Sequence, residues 1–199
     1  MIRYPNGRAF EKEVKKERTR KKSSQEISLS AANRGMNLEN DINLSLEYYR
    51  EKDIALIYKR PTPINIVKVD YSHGARITDA YFEEQSTTDY NGIYRGMYID
   101  FEAKNTKSKS SLPLANISKH QINHLKKVKL QGGITFFVIA FETHNEVYLL
   151  DGNYVVNFYE EAKRKSIPYE EIKKNGYIIE MGYTPRLHLI EAIDQAYFR

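Results

Sequence analysis

Cysteine is absent from all 199 residues. That excludes a disulfide framework and any thiolate metal site, and it fits a reducing compartment. No apolar run approaches the roughly 20 residues of a membrane span, and the N-terminus lacks the apolar core of a signal peptide. The expected location is the cytoplasm, with no membrane partner. Acidic residues are missing from one long stretch: between Ala103 and Phe141 there are seven lysines and no Asp or Glu. Such a segment reads as a phosphate-facing surface. The first 22 residues hold nine Lys or Arg against three Glu, a surplus of six, while the whole chain carries +5. The basic excess therefore sits in the N-terminal segment.

The length suits one sizeable core. Residues 1–32 mix basic residues with Ser, Thr and Gln and have no sustained apolar face, which predicts a disordered, phosphate-binding arm. Residues 33–199 are expected to form a single domain. Met36, Leu38, Ile42, Leu46 and Tyr49 recur near the helical period, with Asn33 or Asn37 as cap. Asp53 to Tyr58 reads as a short strand stopped by Arg60-Pro61-Thr62-Pro63. A β-hairpin is expected near 62–84, reversing at Ser72-His73-Gly74. Asn105 to Ser111 reads as a mobile loop and Ile117 to Leu130 as a helix. Ile134 to Phe141 has the continuous apolar character of a central buried strand. Glu146 to Leu150 is its hairpin neighbour, and helices near Tyr154, Tyr169 and beyond Pro185 complete an α+β, mixed α/β arrangement.

One stretch carries the chemistry. From Tyr98 the residues alternate, so Ile99, Phe101 and Ala103 fall on one face of a strand and Asp100, Glu102 and Lys104 on the other. The preceding turn decides whether Asp89 joins them. Reversal at Asn91-Gly92 would leave Asp89 opposite Tyr94, roughly 27 Å along the strand from Glu102. Reversal at Arg95-Gly96 sets Asp89 opposite Glu102 and Thr87 opposite Lys104, with Cβ atoms about 5 Å apart. The second register explains charge on an otherwise well-patterned strand, and it reduces Asn91-Gly92 to a bulge. Mg²⁺ typically takes one or two carboxylates plus waters, a role Asp89 and Glu102 fit. Lys104 can stabilise charge developing on a phosphoryl group. The same Glu-x-Lys spacing recurs at Glu13/Lys15, Glu161/Lys163 and Glu171/Lys173 in surroundings that make solvated pairs, so position and the upstream Asp give this one its meaning. Glu39, early in the first helix, is either a partner of the helix dipole or an accessory carboxylate. His120 and His124 lack a third nitrogen or sulfur ligand and suit phosphate contact better than zinc.

Asn33-Arg34-Gly35-Met36 with Leu38-Glu39, then Thr87-Thr88-Asp89-Tyr90, then Tyr98-Ile99-Asp100-Phe101-Glu102-Ala103-Lys104, and later His120-Gln121, resemble in order the RecU family of Holliday-junction resolvases. The resemblance implies a restriction-endonuclease-like fold, a homodimer, and Mg²⁺-dependent symmetric cleavage of four-way DNA junctions in recombination and repair, close to the nucleoid. It implies metal contacts at Thr87, Asp89, Glu102 and Gln121, with Lys104 as transition-state stabiliser. It also implies that the hairpin is a stalk that enters the junction, and that recombinase and branch-migration proteins are partners. Arg34, Arg76 and Phe82 are the DNA-contact candidates, the last two on the stalk. Thr88 stands where the wider nuclease superfamily has Pro before the first Asp. A non-catalytic junction-binding protein and a restriction-type duplex nuclease remain as alternatives.

Overall fold

The computed structural model describes residues 37–83 and 87–198. Arg34 and the N-terminal arm lie outside them. Helix α1 (Leu38–Glu51) opens behind Asn37, whose side chain accepts from the Asn40 N–H, and it buries Leu38, Ile42, Leu46 and Tyr49 at the spacing of one helix face. The chain turns at Asp53 (φ 54°) into β1 (Leu56–Lys59), so the expected strand starts three residues late. Next come β2 (Ile64–Asp70) and β3 (Arg76–Phe82), then β4 (Tyr90–Tyr94) and β5 (Met97–Thr106). After β5 lie the short β6 (Ser111–Pro113), α2 (Lys119–Leu130), β7 (Ile134–Phe141) and β8 (Glu146–Asp151). The chain ends with α3 (Gly152–Glu161), β9 (Ser166–Pro168), α4 (Tyr169–Asn175), β10 (Tyr177–Ile178) and α5 (Leu189–Tyr197). Among the described residues no helix is long and apolar enough to cross a membrane.

Six strands form one mixed sheet in the order β1-β4-β5-β7-β8-β10. Among the described strands of this sheet only β5 and β7 pair in parallel, and α2 lies in the crossover that parallel pairing demands. Each face of the sheet has its own core. Ile57, Ile99, Phe101, Phe136 and Val138 pack with α1 and α5 on one side. Phe137, Ile139, Phe141 and Leu150 pack with Ile122 and Leu125 of α2, Val155 of α3 and Ile172 of α4 on the other. This is why β7 reads as an unbroken apolar run: all eight of its residues are buried.

Register at the centre is fixed by an aromatic ladder. Tyr90 stacks on Phe101 at 4.8 Å and Phe101 on Phe136 at 4.7 Å, each ring from the next strand. A one-residue slip of β5 would break both contacts, each worth about 0.5–1.5 kcal/mol beyond burial, and would move Asp100 and Glu102 to the opposite face. The β4–β5 turn is Arg95-Gly96, with φ of 48° and 75°, and the pairs run from Tyr94–Met97 to Tyr90–Phe101 without a shift. Hence Asn91-Gly92 is no bulge. A Cβ on Gly92 would lie 2.1 Å from the Leu56 carbonyl oxygen, so glycine stands there because β1 passes close by.

One further expectation needs correction. The segment read as a mobile loop is partly strand: β5 runs on to Thr106, and β6 pairs with β9 in a separate ribbon. Between them Ser108 folds the chain, its N–H donating to Thr106 Oγ1 and its Oγ accepting from the Ser110 and Ser111 N–H groups. The β2–β3 hairpin is present where expected, as a two-stranded ribbon outside both cores, with Phe82 79% exposed and Arg76 facing Asp70 across the ladder.

Candidate active site

Strand β5 delivers three charged side chains to the face covered by α2, and their surroundings differ sharply. Asp100 is fully buried and saturated. Its Oδ1 accepts from Thr88 Oγ1, and its Oδ2 is within bonding distance of Arg60 Nη2 (2.5 Å), Tyr98 OH (2.9 Å) and His124 Nε2 (3.0 Å). Burial alone would raise its carboxyl, but the His124 and Thr88 hydrogen bonds and the Arg60 charge outweigh that and hold it below the usual carboxylate range.

Glu102 is 1% exposed and undersatisfied. Its Oε1 accepts from Lys104 Nζ (2.7 Å) and Gln121 Nε2 (2.6 Å), while Oε2 is buried with no partner. Burial pushes its carboxyl up to about 7, the neighbouring Asp89 carboxylate pushes the same way, and Lys104 compensates only in part. Two carboxylates on one face are thus driven apart, Asp100 towards a permanent anion and Glu102 towards the neutral acid.

Asp89 arrives from a bend. Ladder pairing stops at Tyr90–Phe101, and Asp89 Oδ2 accepts the Ala103 N–H at 3.1 Å, while its carbonyl accepts from the Arg60 N–H at 2.7 Å. The bend also lets Thr88, which a regular strand would turn to the Ala103 face, reach Asp100. Thr87 is half-buried and enters from the same bend, not from a ladder position opposite Lys104. Burial first, then the fields of Glu39, Asp89 and Glu102, push the Tyr90 phenol up. A cavity of about 350 Å³ opens beside them, lined in part by Asn37, Glu39, Lys59, Arg60, Asp89 and Asn105. Glu39 is ion-paired with Lys59 at its rim.

Gln121 sits in the first turn of α2 and does two jobs. Its Oε1 accepts the Ser118 N–H at 3.0 Å, closing a capping box, while its Nε2 holds Glu102. His124 lies one turn further along, tied to Asp100 and not turned out to phosphate; His120 stays on the exposed side. The structure thus brings Asp89, Glu102, Lys104 and Gln121 together, places Glu39 across the cavity, and leaves Arg76 and Phe82 out on the hairpin. Sequence reasoning missed Asp100, Arg60 and His124 as one network. The signal for Asp100 was its place in the alternation; Arg60 and His124 carried none.

The donors suit a hard divalent cation. Two carboxylates converge, one oxygen is buried and unpartnered, and one carboxyl is driven towards protonation by burial and by Asp89, which Lys104 offsets only in part; such a group is relieved by a cation held through oxygen. Among the described residues no cluster of three His, Cys, Asp or Glu forms a metal cage.

Comparison with known proteins gives a family. The model described as Recombination protein U matches residues 33–195. A Holliday junction resolvase RecU from Geobacillus sp. (strain WCH70) is 48% identical over 203 residues, covering 100% of this chain and 98% of that protein. The one from Bacillus licheniformis is 47% identical over 204 residues, with the same coverage. Among solved structures, the Archaeoglobus fulgidus resolvase Hjc aligns with a TM-score of 0.41 at 12% identity, over 69% of this chain and 90% of that one.

Proposed function

Starting from a chain that belongs to the RecU family and is an endonuclease of the Holliday junction resolvase class, we propose that it cuts four-way DNA junctions by paired symmetric nicks in a Mg²⁺-dependent reaction in the cytoplasm. The observation that carries this is the unpartnered, buried Glu102 Oε2 beside Asp89. Asp89 and Glu102 are the carboxylates that hold the cation, with Thr87 and Gln121 at its margin. When bound, the cation supplies Lewis acidity at the scissile phosphodiester and a water acidic enough to attack it.

The protein's own groups do the rest. Gln121 Nε2 fixes the Glu102 carboxylate, and the Ala103 N–H fixes that of Asp89. Lys104, already 2.7 Å from Glu102, donates a charged hydrogen bond to the phosphoryl oxygens as negative charge builds on them. Lys59 and Arg60 line the cavity and draw the phosphate chain towards it.

Paired nicks on opposed strands require two sites related by a two-fold axis, so a homodimer with one site per subunit matches the substrate's symmetry. The β2–β3 ribbon serves as a stalk. An isolated two-stranded hairpin is marginal in water, and this one exposes Ile64, Ile66, Val67, Ile77, Tyr81 and Phe82, a surface suited to stacking against opened base pairs at the junction centre.

The test is incubation of end-labelled four-way junction and linear duplex with Mg²⁺ or with chelator, using parent protein and Asp89→Asn. Junction-selective nicking by the parent in Mg²⁺ alone is expected, with Asp89→Asn binding the junction but leaving it uncut. Cleavage in chelator, full cleavage by Asp89→Asn, or equal cutting of duplex refutes the reading.

A further inference from the structure

The cleavage chemistry uses Glu102 and Lys104 but gives no task to the third charged side chain on the same face of β5. We propose that Asp100 and His124 are a positioning pair that sets the axial register of α2 on β5 and so keeps Gln121 against Glu102. The inference rests on the cation-site reading above.

Helix and strand meet through two polar rungs. Gln121 Nε2 reaches Glu102 Oε1 at 2.6 Å, and His124 Nε2 reaches Asp100 Oδ2 at 3.0 Å. Residues i and i+2 on a strand are about 6.6 Å apart, and residues i and i+3 on a helix face lie about 5–6 Å apart. The spacings agree closely enough for both rungs to form together, but only at one axial position of the helix. Ile122 and Leu125 are the buried apolar residues of α2, and apolar contact is less directional than a hydrogen bond. Lys126 is tied to Glu160 of α3 on an exposed side. With the Asp100–His124 rung gone, the helix can pivot about Gln121, and Glu102 loses its fixed orientation.

His124 is also the partner whose removal leaves Asp100 compensated. Arg60, Tyr98 and Thr88 still supply a positive charge and two hydroxyl donors to the carboxylate. These contacts tie Asp100 to both flanks of Asp89, since Thr88 precedes it and the Arg60 N–H bonds its carbonyl. One buried carboxylate therefore references the three segments that bring Asp89, Glu102 and Gln121 together.

The experiment compares parent, His124→Leu, His124→Gln and Asp89→Asn by thermal melting, by Mg²⁺ titration of the melting temperature, by junction gel shift, and by steady-state junction cleavage. His124→Leu is expected to melt cooperatively and bind junction as the parent does, with kcat down about 10- to 100-fold, KM within about twofold, and a several-fold higher Mg²⁺ concentration for half-maximal stabilisation. His124→Gln, which restores an amide donor, is expected to recover most of kcat and of the Mg²⁺ response. Parent-like kcat and Mg²⁺ response in His124→Leu overturns the proposal, as does equal impairment of the Leu and Gln variants or loss of cooperative melting in both, which would mark the pair as part of the packing alone. The cation-site reading fails in a different arm: Mg²⁺ stabilisation that survives in Asp89→Asn removes that reading whatever the His124 variants do.

Discussion

Removing the charge of Glu102 should stabilise the cation-free protein, and the effect should depend on pH. Glu102 is almost fully buried, has one unpartnered oxygen, and has its carboxyl raised from 4.5 to about 7 by burial and then by Asp89. That difference corresponds to about 3 kcal/mol. Because the folded state holds this proton more tightly than the unfolded chain, the associated stability is fully present below pH 4.5 and is lost as the pH rises through about 7. Glu102→Gln keeps the shape and does not titrate. In chelator, moving from pH 4.5 to pH 8 should therefore cost the parent about 3 kcal/mol relative to Glu102→Gln, or about 6–12 °C in Tm for a domain of this size. Adding Mg²⁺ at pH 8 should reverse the order, since only the parent keeps the charged oxygen pair and a ligand that binds the folded state alone stabilises by mass action. Calorimetry of both proteins across pH 4.5–8, with and without Mg²⁺, reads this directly. A difference that does not change with pH, or equal stabilisation of both proteins by Mg²⁺, would refute the reasoning.

Lys104→Ala should lower the junction cleavage rate about 10²-fold while leaving the Mg²⁺ response of the melting temperature in place; weak junction binding with a near-normal rate would instead make Lys104 a phosphate anchor. Replacing residues 65–80 with a short Gly/Ser turn should preserve cooperative melting, because no side chain of that ribbon belongs to either core, and should abolish junction resolution far more than duplex binding, as gel shift and cleavage on the two substrates will show. Normal resolution by that variant would remove the stalk from the mechanism.

What the sequence made legible was local. The alternation from Tyr98 to Lys104 and the Arg95-Gly96 turn are both readable over a few residues, and together they set the β4–β5 register and with it the meeting of Asp89 and Glu102. Asn91-Gly92, rejected as the turn and read as a bulge, is neither, because a glycine has more than one use. The Asn-Gly pair is a turn signal, but here Gly92 admits the backbone of Leu56 and Ile57, strand neighbours distant in the chain. The β6–β9 ribbon was invisible for a similar reason: two three-residue strands far apart in sequence pair with each other, and neither is long enough to show a period. Asp100 shows the limit most plainly. Its place on the charged face followed from alternation, whereas three of its four partners, Thr88, His124 and Arg60, stand 12, 24 and 40 residues away.

Gln121 joins the two kinds of information. Ser118-x-x-Gln121 is the local pattern of a capping box, and the structure forms it, with Gln121 at the third helical position and its oxygen on the Ser118 N–H. That cap orients the side chain before any tertiary contact does, because an amide whose oxygen faces back to the helix start must turn its NH₂ group outward. The outward group is the one that meets Glu102. The helix start and the site orientation are therefore one arrangement, and a direct approach of the Gln121 oxygen to a cation would compete with the cap of the helix that carries it. In this geometry Gln121 acts on the site by donating to Glu102, and the Asp100–His124 rung one turn further on decides whether that donor stays in reach.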